Sequence, residues 1–350
     1  MASMGEADLV VVTDTGSTDD TVDRLRRLGA VVYEEEIRPW RFDTARNRSL
    51  EHVPENIDIC VCTDLDERFL PGWREKLESA WRSSQLLRGL SAARTGRYLY
   101  NWSLKPDGTP AVQFYYFKVH ERNGFRWKCP IHEYVQYAGT EPLETVYIEG
   151  MVLNHYPDST KPRDFYLPLL ELAVEEDPTD DRMRCYLGRE YTSRGEWRKS
   201  IDTLQAYLAL PSANWDEERS AAMRWIANAF YRLGEVKEAY HWYGRACEET
   251  PRVREPYVEF AALCYELEDW PMVLFLTEEA LKLREKSKTF VNLSYAWDGT
   301  ADDLCAVAAY RMHLPECALE HARRALAYQP DSKRLQNNLI LIESAASGEG

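Results

Sequence analysis

Three short polar runs follow apolar ones in the first 70 residues, and each carries side chains that could do chemistry. In Cys62-Thr63-Asp64-Leu65-Asp66-Glu67, two carboxylates stand at i and i+2 behind an apolar stretch. In an extended segment those positions point to one side. Side by side, the two carboxylates repel unless a cation lies between them. A hard divalent ion, Mn2+ or Mg2+, takes oxygen ligands and meets that need. A solvated acidic turn is the plain alternative, and the apolar strand ahead of the pair weighs against it. In Asp14-Thr15-Gly16-Ser17-Thr18-Asp19, Gly16 permits a tight turn and Ser17, Thr18 or Asp19 can cap a helix. Asp14, at the carboxyl end of a parallel strand, faces a ligand crevice, where it can accept a hydrogen bond from a nucleobase. In Phe42-Asp43-Thr44-Ala45-Arg46-Asn47, Asp43 can cap the following helix. Arg46 and Asn47 lie one turn on, where an arginine near a helix N-terminus suits a diphosphate.

The elements that must hold these residues alternate. Residues 8–13, 30–33 and 57–63 read as strands, and 19–28, 49–53 and 73–87 as helices. Strand and helix at short spacing predict a mostly parallel α/β sheet. From 98 to 155 the pattern becomes strand-rich, with a hairpin turn at Pro106-Asp107-Gly108-Thr109. Pro157, Pro162 and Pro168 punctuate a connector, and the chain beyond it is helical. Tyr191, Tyr231, Tyr265 and Tyr310 recur 34 to 45 residues apart, each near small residues such as Gly188, Ala227, Ala261 and Ala308. That interval is near the length of a helix-turn-helix repeat. The units look like tetratricopeptide repeats with insertions near 211–215 and 287–297; an ordinary helical bundle is the plainer alternative. The boundaries expected are 1–160 for an α/β domain and 161–345 for a helical-repeat domain that serves as an interaction or dimerisation surface.

The 350 residues fit two domains. A net charge of −15 disfavours binding to a nucleic-acid backbone or an anionic membrane. No apolar run approaches the ~18–20 residues that span a bilayer, and the start does not read as a signal peptide. The eight cysteines are scattered, without a C-x-x-C pair. They predict a reduced, cytoplasmic setting and no zinc site. No G-x-G-x-x-G follows the first strand, which argues against a dinucleotide-dependent oxidoreductase.

Taken in order, D-T-G-S-T-D, F-D-x-A-R-N and D-L-D-E resemble the family 2 glycosyltransferases of the GT-A fold. More narrowly they resemble the branch with C-terminal tetratricopeptide repeats, as in bacterial lipopolysaccharide-core and peptide S-glycosyltransferases. Arg126-Trp127-Lys128-Cys129-Pro130-Ile131-His132-Glu133 is similar to that branch's W…HE segment, and Asn154-His155-Tyr156 to its HY segment. His132-Glu133 is not a zincin motif, because Gln136 stands where a second histidine would be. The resemblance implies a metal-dependent, inverting glycosyltransferase that takes a sugar from a nucleoside-diphosphate sugar to an acceptor glycan, peptide or small molecule. By it, Asp14 contacts the base, and Asp43, Arg46 and Asn47 line the nucleotide site. Asp64 and Asp66 hold ribose and metal, and His155 completes the metal shell. Glu133 is the general base by resemblance and position, with Glu67 as runner-up. Family members begin with one more β-α unit than this sequence shows, so the first β-α unit is expected to be missing. The competing expectation is a non-catalytic interaction protein: tetratricopeptide repeats, joined to a glycosyltransferase remnant, that bind a protein partner or a second copy of the chain.

Overall fold

The computed structural model describes residues 2–87, 94–157 and 164–347. It divides into two compact units, Met1–Pro178 and Thr179–Gly350. Pro162, one of the connector prolines, lies outside the described residues.

In the first unit, β1 (Val11–Asp14) and β2 (Val31–Glu34) pair in parallel through α1 (Thr21–Arg27). Helix α2 (Phe42–Glu51) comes next. It starts earlier than the apolar pattern of 49–53 indicates, because its first two turns are polar. A five-stranded sheet then forms in the order β3-β6-β5-β9-β4. Its strands are β3 (Ile59–Val61), β4 (Glu67–Phe69), β5 (Thr95–Leu104), β6 (Pro110–Glu121) and β9 (Thr145–His155). The expected mostly parallel sheet is corrected here: within the five strands only β5 and β9 run parallel. The reason is local. The long β5–β6 hairpin turns at Lys105–Thr109, where Lys105 N–H donates to the Thr109 carbonyl at 2.8 Å and Gly108 N–H to the Lys105 carbonyl at 2.9 Å. A short hairpin can only join antiparallel strands. The expected turn at 106–109 is where the chain reverses.

Helix α3 (Trp73–Leu87) packs on β9. Tyr98, Val119, Met151 and Leu153 are fully buried, and Phe69 stacks on Trp73 and meets Tyr98 edge-on, both at 5.3 Å. A hairpin of β7 (Phe125–Lys128) and β8 (Tyr134–Tyr137) and helix α4 (Tyr166–Glu176) complete the unit. The division at Pro178 places α4 with the first unit, later than the boundary expected at 160.

Two features of the sheet set the geometry of the polar residues. First, β3 and β4 are its opposite edges, and residues 62–66 carry the chain from one to the other. A flat five-stranded sheet holds its edges about 19 Å apart. Six residue steps reach about 20 Å only when fully extended, and this segment contains a turn, Glu67 N–H to the Asp64 carbonyl at 3.1 Å. The sheet is therefore curled. Second, the β5–β9 pairing jumps from Arg97↔Tyr147 to Leu99↔Val152. The extra residues of β9 form a bulge, with Gly150 at φ 72°. Bulges bend a sheet and increase its twist.

The second unit is a run of antiparallel helix pairs: α5 (Asp181–Ser193) with α6 (Trp197–Leu208), α7 (Asp216–Arg232) with α8 (Val236–Glu249), α9 (Glu255–Glu266) with α10 (Trp270–Lys282), and α11 (Thr300–Arg311) with α12 (Pro315–Tyr328). Helix α13 (Lys333–Ser347) closes it. The four recurring tyrosines all sit near the ends of the first helices of these pairs. Small residues let the partners approach. A Cβ on Gly188 would lie 2.4 Å from Leu204 of the facing helix, and Ala227, Ala239, Ala261, Ala280 and Ala318 are wholly buried. The turn within each pair reuses one left-handed position, held by Gly195, Gly234, Glu268 and His313 (φ 75°, 80°, 57° and 57°). Between α10 and α11 the chain departs from the repeat. Ser287 and Thr289 donate to Glu217 at 2.8 and 2.9 Å, and Trp297 Nε1 donates to Glu255 at 2.8 Å. Among the described residues, no helix is long and apolar enough to cross a membrane.

Candidate functional site

Arg46, on α2, is the hub. Its Nε donates to Glu133 Oε1 at 3.0 Å, its Nη2 pairs with Asp64, and its guanidinium lies 5.2 Å from the centre of the Trp127 ring. Asp64, on the edge-to-edge crossing, also accepts from Lys118 Nζ at 2.9 Å. Lys118 comes from β6 and is buried. Its Nζ lies 3.5 Å from Glu67 Oε1, and Glu67 in turn accepts from the Asp64 N–H at 2.8 Å and the Tyr100 hydroxyl at 2.8 Å. Two cations and three carboxylates thus meet where β4, β5, β6, α2 and the β7–β8 loop converge.

Burial alone would raise the pKa of Asp64, but Lys118 and Arg46 outweigh it and hold the carboxyl well below the usual carboxylate range. Burial would lower that of Lys118, and Asp64 and its neighbours raise it instead. Tyr100 is pushed up by burial and by the Glu67 charge, so it remains a donor. Asp64, Lys118 and Arg46 are all charged at neutral pH.

A second cluster sits beside it. His155 Nδ1 is 3.1 Å from the Trp102 carbonyl, and the imidazole stacks on the Trp102 ring at 4.6 Å. A carbonyl only accepts, so Nδ1 carries a proton and Nε2 is the nitrogen turned to Asp66. That Nε2 lies 3.8 Å from Asp66 Oδ2. Asp66 is anchored through its own carbonyl, which accepts from the Tyr156 N–H at 2.8 Å. A carboxylate oxygen and an imidazole nitrogen at this separation fit the ligand set of a divalent ion. The expected trio is split, however. Asp64 turns to Arg46 and Lys118, and among the described residues Asp64, Asp66 and His155 do not converge as three ligand atoms within 4.8 Å of one another.

The other expected residues take varied places. Asp14 ends β1 and accepts from the N–H groups of Gly16 (3.1 Å) and Ser17 (3.0 Å). Burial pushes its pKa up, and the Ser17 and Gly16 hydrogen bonds more than offset it, so Asp14 lies below its ordinary range. Asp43 does not cap α2. Arg41 holds the cap position without a side-chain cap bond, because the chain enters the helix one residue before the carboxylate. Asp43 instead grips Arg41 with both oxygens (3.0 and 2.9 Å), and Arg41 reaches on to Glu176 of α4 at 2.6 Å. Asn47 braces β7. Its side chain donates to the Trp127 carbonyl at 2.9 Å and accepts from the Trp127 N–H at 2.8 Å, which ties α2 to β7. Glu133 follows a loop with two left-handed non-glycine residues, Cys129 (φ 77°) and His132 (φ 50°). Such conformations cost ~1–3 kcal/mol each and persist where the surroundings impose them. Here they deliver Glu133 to Arg46.

Sequence reasoning missed Lys118, Tyr100 and Trp102. Lys118 had a signal, a lone lysine within the otherwise apolar and aromatic run from Phe114 to Val119. A buried lysine needs a partner, and the paired carboxylates were the obvious one.

No family profile matches the chain, and no curated protein matches it. Solved structures similar to the chain include YrrB, a TPR protein with an unusual peptide-binding site (15% identity, 51% of this chain and 84% of that one, TM-score 0.41). A thermophilic TPR protein of Thermus thermophilus is similar at 17% identity (51% and 89%, TM-score 0.37). MamA of Desulfovibrio magneticus is similar at 13% (48% and 85%, TM-score 0.39). The second unit is a tetratricopeptide-like helical repeat. That statement stands on its own helix pairs, small-residue seams and shared turn position rather than on likenesses of this size.

Proposed function

We propose that the first unit is a metal-dependent nucleotide-sugar glycosyltransferase domain, acting on an acceptor glycan, peptide or small molecule, and that the repeat unit holds a protein partner or a second copy of the chain. One observation carries the proposal. Asp64 is locked between Arg46 and Lys118, while the adjacent Asp66 faces Nε2 of His155. A solvated acidic turn has no use for a buried lysine and an arginine clamped on one carboxylate. Asp66 and His155 would hold Mn2+ or Mg2+, which as a Lewis acid neutralises charge on a leaving diphosphate.

The chain's own residues do the rest. Arg46 and Lys118 offset most of the charge of Asp64, Glu67 and Glu133, so that these carboxylates repel a diphosphate less. Asp64, fixed by both, presents a carboxylate of constant charge to a ribose hydroxyl. Glu133, bound through Oε1 to Arg46, keeps Oε2 for an acceptor hydroxyl and is the general base. Asp14, at the end of β1, is the base-contacting carboxylate.

The test is nucleotide binding and donor hydrolysis by the full chain across a panel of nucleoside diphosphate sugars, with and without Mn2+. Wild type should bind at least one nucleotide more tightly with Mn2+. Asp66→Ala and His155→Ala should lose that enhancement. Metal enhancement that persists in both variants overturns the proposed ligands, and no nucleotide binding at all overturns the function.

The repeat unit favours a second reading, a non-catalytic interaction protein with a glycosyltransferase remnant. YrrB, a similar repeat protein, has a peptide-binding site. Absence of nucleotide binding, together with saturable peptide binding by the full chain, selects that reading.

A further inference from the structure

Helices α11 and α12 bring together side chains that the proposed reaction does not use. Cys305 on α11 and Cys317 and His321 on α12 each place a ligand atom within 4.8 Å of the other two. Cys317 and His321 are four residues apart, so they share one helix face. Cys305 comes from the antiparallel partner. Cys305 is fully buried, His321 is 9% exposed and Cys317 is half-buried. His321 is oriented from behind: Nδ1 lies 2.8 Å from Asp302 Oδ1, and Asp302 is 2% exposed and also pairs with Arg324 Nε at 3.1 Å. With Nδ1 donating to a carboxylate, Nε2 keeps the lone pair.

We propose that Cys305, Cys317 and His321 form a binding site for a thiophilic d10 cation, Zn2+ above all, with Asp302 as the carboxylate that fixes the histidine tautomer. The chemistry fits on three counts. Two thiolates and an imidazole are the donors that zinc prefers. Metal–sulfur and metal–nitrogen bonds of about 2.3 and 2.0–2.1 Å put ligand atoms about 3.4–3.8 Å apart in a tetrahedron, so the observed cluster closes with a shift of about 1 Å. A carboxylate on the far ring nitrogen is the usual support for a ligating histidine and raises its basicity. Free thiols carry their protons near neutral pH, so each Zn2+ held by both cysteines releases two of them to solvent. Three protein ligands leave a fourth position for water or an outside ligand, on the side of the less buried Cys317. The spacing Cys-x11-Cys-x3-His matches no finger motif, which is why cysteine spacing alone pointed away from zinc.

The experiment uses the full chain, reduced with a phosphine and stripped of metal, in an Asp66→Ala background so that the first unit's candidate ion site does not contribute. Co2+ is titrated while sulfur-to-cobalt charge-transfer absorption is read in the near ultraviolet. Zn2+ is then used to displace it. The expected result is one equivalent of Co2+, a thiolate band, and release of about two protons per metal in weak buffer. Cys317→Ala should weaken the band, Cys305→Ala with Cys317→Ala should abolish it, and Asp302→Asn should weaken affinity about 10-fold or more. No band in the intact chain overturns the site. So does a band unchanged in the double variant, with folding checked by circular dichroism.

Discussion

Arg46 serves two carboxylates at once, and its loss would expose which of them matters to chemistry. Glu133→Gln keeps an acceptor for the Arg46 Nε bond but cannot take a proton. We expect normal nucleotide and metal affinity with transfer reduced about 10²-fold or more. Lost affinity with unchanged turnover would make Glu133 a binding residue instead. Asp64 supports a different measurement. Its folded-state pKa is depressed by Lys118 and Arg46. Its stabilising contribution is therefore present above the unfolded value of about 3.9 and is lost as pH falls toward the folded value. Asp64→Asn should be markedly less stable than wild type at pH 7, with the gap narrowing below about pH 4. A gap that stays constant down to about pH 2.5 in denaturant titrations would mean the ion pairs contribute no net stability. At this scale much was legible. Asp64, Asp66, Arg46, Glu133 and His155 stand in two adjacent clusters because their motifs end strands or open helices that converge. The roles of Asn47 and Asp43 were not legible, because an amide that binds a backbone and a carboxylate that binds an arginine look the same in sequence as ones that bind a ligand.

At the scale of elements, periodicity found α3, the hairpin turn and the repeat helices, whose patterns are long. It missed β4, three residues whose pairing with β9 is set by tertiary contact alone, and it gave the right strand direction for β1 and β2 but not for most of the five-stranded sheet, because direction depends on connection length and not on hydrophobic pattern. The repeats offer a direct test. The left-handed turn position holds glycine in two pairs but Glu268 and His313 in the others. Left-handed backbone costs a side-chain-bearing residue about 1–2 kcal/mol, and glycine's added flexibility when unfolded returns part of that. Glu268→Gly and His313→Gly should each stabilise the chain by about 0.5–1 kcal/mol in urea titrations. Gly188→Ala, whose Cβ would meet Leu204 at 2.4 Å, should destabilise it by about 1–3 kcal/mol. The opposite sign in either case would mean the seam or the turn relaxes more freely than the structure indicates.

At the scale of the whole molecule, the two-part organisation was legible because composition changes along the chain, from alternating apolar runs to small-residue helices. The curl of the sheet was not, because no local pattern encodes the distance between two edges. That curl has a mechanical consequence. Residues 62–66 behave as a bowstring tied to both limbs of a bow, with Asp64 at its middle and Asp66 at its β4 end. Their spacing from Lys118 and His155 is then a property of the bow's curvature, which the bulge at Gly150 helps to set from within β9, the partner of β4. A residue that never meets a ligand would tune the site by changing the draw. Gly150→Val, a branched residue forced into left-handed backbone at a cost of about 1–3 kcal/mol, should flatten the bulge and weaken metal-dependent nucleotide binding. Gly150→Asn, which tolerates that conformation, should leave binding near wild type. If valine and asparagine behave alike, the string is held by its own knots and the bow does not set its tension.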